Sequence, residues 1–171
     1  RYLEFWNLVF MQFERDESGA QTPLPRPSID TGAGLERVAL ILQRKNSNYE
    51  TDLFRPILDA AAELAGVPYG SARESDVSLR VIADHLRAVS FLLADGVIPG
   101  NEGRGYVLRR ILRRGVRHGM RLGFEEPFLH RLVPVLGEIM GNAYPELGAT
   151  RQASVAAIEA EEEKFLSTVA S

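Results

Sequence analysis

The sequence predicts a mainly α-helical protein with a small antiparallel β portion, and three observations lead to this fold class. Aromatic and branched side chains crowd residues 2–14, as is typical of a β-strand. From residue 35 onward, apolar residues recur at the spacing of amphipathic helices. A content of 45% apolar and 25% charged residues is ordinary for a folded globular chain. We therefore expect a strand pair followed by a helical bundle.

Composition excludes several kinds of protein. A chain of 171 residues can bury one good core or two small ones. Without cysteine it has no disulfide and no thiolate metal ligand, and we expect a reducing, cytoplasmic location. The three histidines lack metal-ligand spacing, so we expect no metal site. No apolar run reaches the roughly 18–20 residues of a membrane span, and the N-terminus lacks the pattern of a signal peptide, so we expect no membrane partner.

The first apolar segment, residues 2–14, is predicted to be a strand buried on both faces or nearly so. Residues 16–21 supply turn-forming types, and a second strand is predicted to pair with the first and to reach Asp30. Because the chain opens at Arg1, inside this strand and without an initiator methionine, we expect it to be a piece of a longer protein.

A glycine-rich turn then leads into the next helix. Gly32 and Gly34 let the backbone adopt conformations that a side chain would forbid, so a compact ligand could lie against bare main chain. The helix is predicted to begin at Leu35, which places Arg37 in its first turn. A cation beside the free N–H groups of that turn can bind a phosphate or a carboxylate. The same short pattern also describes a helix that merely follows a flexible turn.

Two helices are predicted before the basic part of the chain. The first is capped by Thr51 or Asp52, and the second covers residues 76–95. Within the second, His85 follows Asp84, but adjacent helical side chains point about 100° apart, so a core or capping role is favoured over a catalytic pair. The loop between the two helices is the best candidate for a boundary. It gives two predicted domains, residues 1–70 and 71–171.

The strongest charge asymmetry lies in residues 101–122. This segment has seven arginines and one glutamate, a sum of +6, so the rest of a chain with net charge −3 sums to −9. A helix is predicted over residues 104–122. Four of its arginines recur at i, i+4, i+7 and i+11 and form what we call the arginine stripe: Arg110, Arg114, Arg117 and Arg121. Two further arginines widen the stripe: Arg109 and Arg113.

The residue types leave two interpretations of this stripe open. Arginine forks match phosphate geometry, and a helix that carries several of them can bind an RNA backbone. Alternatively, the arginines pair with acidic residues of a neighbouring helix, such as residues 159–163. That acidic run belongs to a last helix, predicted from Thr150, and is interpreted as solvated surface. Before it, a helix is predicted over residues 125–142, which Pro134 should kink or split.

Several stretches resemble the class II aminoacyl-tRNA synthetases, and the alanyl-tRNA synthetase family in particular. The resemblance covers nearly the whole chain. The stretches that carry it are WNLVFMQF at residues 6–13, PLP at 23–25, DTGAGLER at 30–37, NSNY at 46–49, RVIADH at 80–85 and NEGRGYVLRR at 101–110.

The resemblance implies roles for residues near the glycine-rich turn. Asp30 would receive the ammonium group of alanine, with Asn7 and Gly32 beside the substrate. Arg37, together with Gly32 and Gly34, would bind ATP. Asp30 and Arg37 are the catalytic candidates, since Arg37 would neutralise charge that builds up on the phosphates. Mg²⁺ would shield those phosphates.

The residue types alone leave a different role open for each of these side chains. Asn7 could be a buried polar residue, and Asp30 could cap a turn. Arg37 could form a surface ion pair with Glu36 or Glu50.

The resemblance also implies a site for the acceptor stem of the alanine tRNA. Asn101 would contact a G:U wobble pair, because an amide can both donate to and accept from a base edge. At Gly103 the chain departs from the commonest family pattern, which has asparagine there, and an acidic residue that the family uses for the same pair lies beyond the chain. The arginines that would hold the stem are Arg104, Arg109, Arg110, Arg113, Arg114 and Arg117.

The implied fold is the end of a class II catalytic domain followed by a helical bundle. The implied activity of the parent is ligation of alanine to its tRNA, through alanyl-adenylate and pyrophosphate. Since the other class II motifs lie upstream, we expect this chain alone to be inactive and to bind no cofactor tightly. Two alternatives stay open: a non-catalytic helical RNA-binding module, and a structural helix whose arginines are saturated by internal partners. The oligomeric state is also open.

Overall fold

The computed structural model describes residues 2–170 and divides the chain into two compact units. The first unit ends at Thr51 and the second begins at Asp52. A mainly helical chain with one two-stranded antiparallel sheet is confirmed. The domain boundary between residues 70 and 71 stays a prediction. It separates two proposed functions, whereas the compact units are defined by contacts within the chain.

The first unit begins with the predicted hairpin. Strand β1, Trp6–Arg15, pairs antiparallel with strand β2, Gln21–Ala33. In the connecting turn, Asp16 Oδ1 accepts a hydrogen bond from the amide of Ala20 at 3.0 Å. The second strand extends beyond Asp30, so the catalytic candidate lies within a strand.

The prediction that the first strand is buried on both faces is wrong. All residues of β1 are exposed, and so are all but one of those in β2. A strand that is buried on both faces needs a packed layer on each side. Within residues 2–51 the sheet has two strands and neither face is covered, so aromatic content alone misled the prediction.

The helix after the glycine-rich turn is confirmed. Helix α1 covers Leu35–Leu42, with Arg37 in its first turn. Just before it, the amide of Gly34 donates to the carbonyl of Phe5 at 3.0 Å, which ties the start of the helix to the chain that leads into β1. A 3₁₀ turn follows at Asn48–Glu50.

The second unit is the predicted helical bundle. Its helices are α2 (Arg55–Ala65), α3 (Arg73–Ala94), α4 (Gly103–Arg121), α5 (Val133–Met140), α6 (Glu146–Ala149) and α7 (Arg151–Ala170). Helices α3 and α4 form the main packing contact, and Leu86 of α3 and Leu112 of α4 are fully buried. Helix α2 packs against α3, and α7 packs against α4. Among the residues described, no helix is both long enough and apolar enough to cross a membrane.

The predicted cap of α2 is wrong. The helix begins at Arg55, and the residue before it, Phe54, makes no side-chain cap. Thr51 instead donates its hydroxyl proton to the carbonyl of Asn48 at 2.6 Å, closing the 3₁₀ turn.

Two predictions for the C-terminal third are also corrected. The helix predicted over residues 125–142 is shorter, and its interruption near Pro134 agrees with the predicted split: a 3₁₀ turn at Leu129–Leu132 precedes α5, and Pro134 lies in the first turn of α5. Proline is tolerated there because the N–H groups of a first turn have no partner within the helix. The acidic run of α7 is not all solvated, since Glu161 is 8% exposed and Glu162 is fully buried.

Candidate functional site

The sheet register brings the predicted alanine-binding residues together on one face of the hairpin. Asn7 lies opposite Gly32, and Val9 lies opposite Asp30. Since opposite residues, and residues two apart on one strand, point to the same side, Asn7, Asp30 and Gly32 share that face. A Cβ at Gly32 would lie 3.3 Å from Asn7 Oδ1, so glycine leaves room for the amide. Asn7 is exposed, so it is not a buried polar residue.

One of the two carboxylate oxygens of Asp30 is available to a ligand. Its Oδ1 accepts a hydrogen bond from the amide of Thr31 at 2.9 Å, which is the local role that its residue type had left open. The side chain is exposed, and Oδ2 has no partner within residues 2–170. This oxygen can accept from a ligand donor.

Arg37 lies against the main chain rather than against a carboxylate. One guanidinium nitrogen donates to the carbonyl of Glu4 at 2.6 Å, and the residue is exposed. A Cβ at Gly34 would lie 3.3 Å from Cδ of Arg37, so the glycine accommodates the folded-back side chain. A surface ion pair with Glu36 or Glu50, the alternative role, is absent from the described part of the chain.

In the second unit, the four residues of the arginine stripe are exposed on α4. Within residues 2–170, none of the four makes a hydrogen bond or an ion pair. Arg110 lies 5.7 Å from the ring centroid of Tyr106, a cation–π distance. Guanidinium groups that make no bond to a carboxylate are available to an anionic ligand.

The two flanking arginines behave differently. Arg113 is paired with Glu161 of α7 at 2.6 Å and lies 5.2 Å from the ring centroid of Phe165. Arg109 donates to the side-chain oxygen of Asn101. Pairing with the acidic run of α7 is therefore correct for Arg113 and not for the stripe. Arg104, at the start of α4, is exposed.

A groove of about 690 Å³ runs along this side of α4, and we call it the arginine groove. Helix α3 contributes Asp84 and His85, and α7 contributes Phe165. The residues that line it from α4 include Tyr106, Val107, Arg110, Ile111, Arg113, Arg114 and Arg117. Three stripe arginines thus share one concave surface, which also contains two aromatic rings, those of Tyr106 and Phe165.

The expectation that Asp84 and His85 do not face each other is wrong. His85 Nδ1 lies 2.9 Å from Asp84 Oδ2, because the two adjacent side chains lean toward each other. The bond from His85 is the main cause of a lowered pKa for Asp84, with smaller contributions from Arg87 and Arg114. Asp84 is therefore a carboxylate at neutral pH, and the nitrogen of His85 donates.

Burial lowers the pKa of another histidine, His118 of α4, and the nearby charges of Arg121 and Arg114 act in the same direction. Its Nδ1 lies 3.1 Å from Oγ of Ser78 on α3. Within residues 2–170, no three acidic or histidine side chains form a group that could hold a metal ion.

Sequence reasoning missed the structural role of Glu162, a buried carboxylate of α7. Glu162 accepts hydrogen bonds from the amides of Phe128, Leu129 and His130 at 2.8–3.1 Å. A signal was present, since Glu162 lies four residues after Ile158 and three before Phe165, on the buried side of α7. No local pattern marked Asp84 as a groove residue.

Comparison with known proteins gives consistent matches along the whole chain. The family model described as tRNA synthetases class II (A) matches residues 1–171. Similar relatives, each named alanine–tRNA ligase, come from Magnetococcus marinus (61% identity), Acidithiobacillus ferridurans (59%) and Pseudothermotoga lettingae (56%). Each alignment covers 99% of this chain and 19–20% of the relative, so the chain spans about a fifth of the length of these curated relatives.

Proposed function

Since this chain belongs to the class II (A) tRNA synthetases, we propose that it is part of an alanine–tRNA ligase. Its role there is to contact alanine and ATP through the first unit and the tRNA acceptor stem through the second. The names of the similar relatives support alanine as the amino acid. The observation that carries the tRNA contact is the arginine groove, with three exposed guanidinium groups that form no ion pair within residues 2–170.

In the whole ligase, the carboxylate of alanine attacks the α-phosphorus of ATP and pyrophosphate leaves. The hydroxyl at the tRNA 3′ end then attacks the alanyl carbonyl, and AMP leaves. Asp30 Oδ2, which has no described partner, pairs with the ammonium group of alanine, and Asn7 on the same face fixes its orientation. Arg37 exchanges the carbonyl of Glu4 for a phosphate and stabilises the charge that develops there. Gly32 and Gly34 let the nucleotide approach the main chain.

The acceptor stem lies along the arginine groove in this proposal. Arg110, Arg114 and Arg117 contact successive backbone phosphates, each displacing a condensed counterion. Arg113, held by Glu161, supports the wall of the groove rather than the ligand. Arg104 and Arg109 extend the contact toward the start of α4.

Asn101 is the base-reading residue of the proposal. It is exposed, and the bond from Arg109 occupies its amide oxygen and orients the side chain. The amide N–H groups then point to a base edge of the G:U pair.

The test is salt-dependent binding of an acceptor-stem RNA hairpin that contains the G:U pair. We expect Arg114→Ala with Arg117→Ala to weaken binding and to reduce the slope of log K against log salt by about 2, since each lost phosphate contact removes about 1. Stability should change by less than about 0.5 kcal/mol, because both side chains are exposed. Arg151→Ala, an exposed arginine at the start of α7, is the matched control.

The outcome also separates the structural alternative from the RNA-binding one. If the arginines only stabilise the fold, the double variant unfolds at lower temperature and binds RNA as tightly as the unaltered chain. Unchanged RNA affinity in the double variant contradicts the proposed groove.

Asn101→Ala tests base reading in the same assay. Loss of the base contact should cost about 1–3 kcal/mol on the G:U stem and little on a G:C stem. Equal losses on both stems remove the base-reading role.

A second candidate, a non-catalytic RNA-binding module, is favoured by the exposure of both catalytic candidates, Asp30 on the hairpin face and Arg37 in α1. It differs from the first candidate in ATP–pyrophosphate exchange driven by alanine. We expect the isolated chain to show none. Exchange that disappears in the Asp30→Ala variant would mean that this chain alone forms alanyl-adenylate.

A further inference from the structure

The arginine groove contains one group of the wrong sign for binding phosphate. Asp84 of α3 lines the same groove as Arg114 and Arg117. Its side chain is 46% exposed, whereas that of Glu161 is only 9% exposed. A carboxylate at this position repels any phosphate, so its presence calls for a specific ligand group.

Asp84 makes no direct bond to an arginine, although the charges of Arg87 and Arg114 lie near enough to favour its ionised form. Within residues 2–170 it forms no ion pair with a guanidinium group, in contrast to Glu161, which binds Arg113 at 2.6 Å. Its one polar partner is His85, whose Nδ1 donates to Oδ2 at 2.9 Å. His85 is 13% exposed and fixes the carboxylate from the buried side. The other oxygen, Oδ1, keeps its full capacity to accept.

The groove therefore presents donors along α4 and one charged acceptor from α3. Phosphate oxygens only accept, so they suit the guanidinium groups of Arg110, Arg114 and Arg117 and cannot bind Asp84. The donor that an RNA backbone offers next to its phosphates is the ribose 2′-hydroxyl, which DNA lacks. The phosphates of the RNA backbone therefore match the arginines of the groove, and the 2′-hydroxyl between them matches Asp84.

We propose that Asp84, oriented by His85, accepts a hydrogen bond from a ribose 2′-hydroxyl of the bound stem and so makes the arginine groove selective for RNA. The proposal rests on the proposed function, because it requires that the groove bind a nucleic-acid stem. Asp84 becomes a specificity-determining residue, and His85 becomes a positioning residue that acts through it.

The experiment compares Asp84→Asn with the unaltered chain on two acceptor-stem hairpins of identical sequence. One hairpin is unmodified RNA, and in the other 2′-fluoro groups replace the 2′-hydroxyls along the stem. Fluorine keeps the A-form sugar pucker but cannot donate, so the pair isolates the hydrogen bond from helix geometry. Asparagine keeps an acceptor for His85, which protects the fold of α3.

Asp84→Asn has two opposite effects on affinity, and the two hairpins distinguish them. Removal of a negative charge from the groove strengthens binding of every polyanion, whatever its sugar. Loss of the charge-assisted bond weakens binding of the unmodified stem alone. We expect the unaltered chain to prefer the unmodified stem about tenfold, a ratio that corresponds to a charge-assisted hydrogen bond, and Asp84→Asn to lose most of that preference. The control is Asp95→Asn, at an exposed aspartate just after α3. It makes the same change of charge and should keep the preference for the unmodified stem.

A third hairpin, with inosine in place of guanine, removes the amino groups that bases offer in the minor groove. If Asp84→Asn abolishes sensitivity to inosine and not to fluorine, Asp84 reads a base and the proposal is overturned. If both hairpins gain affinity equally in Asp84→Asn, Asp84 contributes only charge, and the proposal fails while the proposed function stands. If the unaltered chain shows no salt-dependent binding of any hairpin, the proposed function itself fails.

Discussion

The two units of this chain place their apolar side chains differently. In residues 2–51 no apolar side chain is buried, and Trp6, Phe10 and Leu42 are among those most open to solvent. In residues 52–170, leucine, isoleucine and phenylalanine side chains from helices α2 to α7 are buried in a core. The second unit thus carries the hydrophobic contribution to folding, whereas the hairpin rests on its backbone ladder and a few local bonds. The residues proposed for catalysis and the apolar core therefore lie in different parts of one sequence.

A pair of truncations tests this difference most directly. Leu112 is fully buried at the α3–α4 contact, and Phe10 of β1 is 68% exposed. We expect Leu112→Ala to lower the free energy of unfolding by about 2–5 kcal/mol, through lost burial and a cavity. Phe10→Ala should change it by less than about 0.5 kcal/mol. Urea unfolding followed by far-ultraviolet circular dichroism measures both.

The single tryptophan supplies an independent probe of the first unit. Trp6 fluorescence should report the hairpin, and circular dichroism should report the helices. If Phe10→Ala destabilises the helices as much as Leu112→Ala does, the hairpin contributes to the helical core and the contrast between the units is wrong.

The buried carboxylate of Glu162 sharpens the comparison, because it is a polar group on which the second unit depends. Glu162→Ala leaves three buried or part-buried amides without an acceptor. Each unsatisfied buried donor costs about 1–3 kcal/mol, and relaxation of the 3₁₀ turn recovers part of this, so we expect a loss of about 2 kcal/mol. The neighbouring exposed Glu163 provides the control. Equal midpoints for Glu162→Ala and Glu163→Ala would show that the turn holds without its acceptor.

Sequence reasoning succeeded where the determining signal was local. The hairpin turn, the start of α1 after Gly34 and the arginine periodicity of α4 all follow from residues close together in the chain. The family resemblance, carried by stretches such as residues 30–37 and 101–110, is confirmed by the matches to class II (A) tRNA synthetases and to alanine–tRNA ligases. The roles of Asn7, Asp30 and Arg37 remain predictions, although the register places the first two on one face.

Most of the wrong predictions have a common cause, because the burial or contact of a residue depends on residues far away in the sequence. Burial of β1 depends on layers that residues 2–51 do not supply. The acidic run of α7 looked solvated because its partners, the amides of residues 128–130 and the guanidinium group of Arg113, lie 30 or more positions away. The contact between Asp84 and His85 depends on side-chain rotamers, which helical spacing does not specify.

The smallest expected effect concerns pH, and it also distinguishes the two units. All three histidines lie beyond residue 52, and burial lowers the pKa of His118 below its ordinary value of 6.5. In that case the unfolded chain binds the proton more readily than the folded one, so stability falls as the pH drops below about 6.5. For one proton the slope is at most about 1.4 kcal/mol per pH unit. The lowered pKa of Asp84 acts in a separate range, below about 3.8.

Urea unfolding between pH 7 and pH 5 measures this slope, and His118→Gln should flatten it, because glutamine can still bond to Ser78 but does not titrate. The change should appear in the circular dichroism of the helices and not in the fluorescence of Trp6, since the first unit has no histidine. A slope that His118→Gln leaves intact would assign the pH response to other groups. A matching response in Trp6 fluorescence would mean that the hairpin unfolds together with the bundle, so that the two units form one cooperative structure.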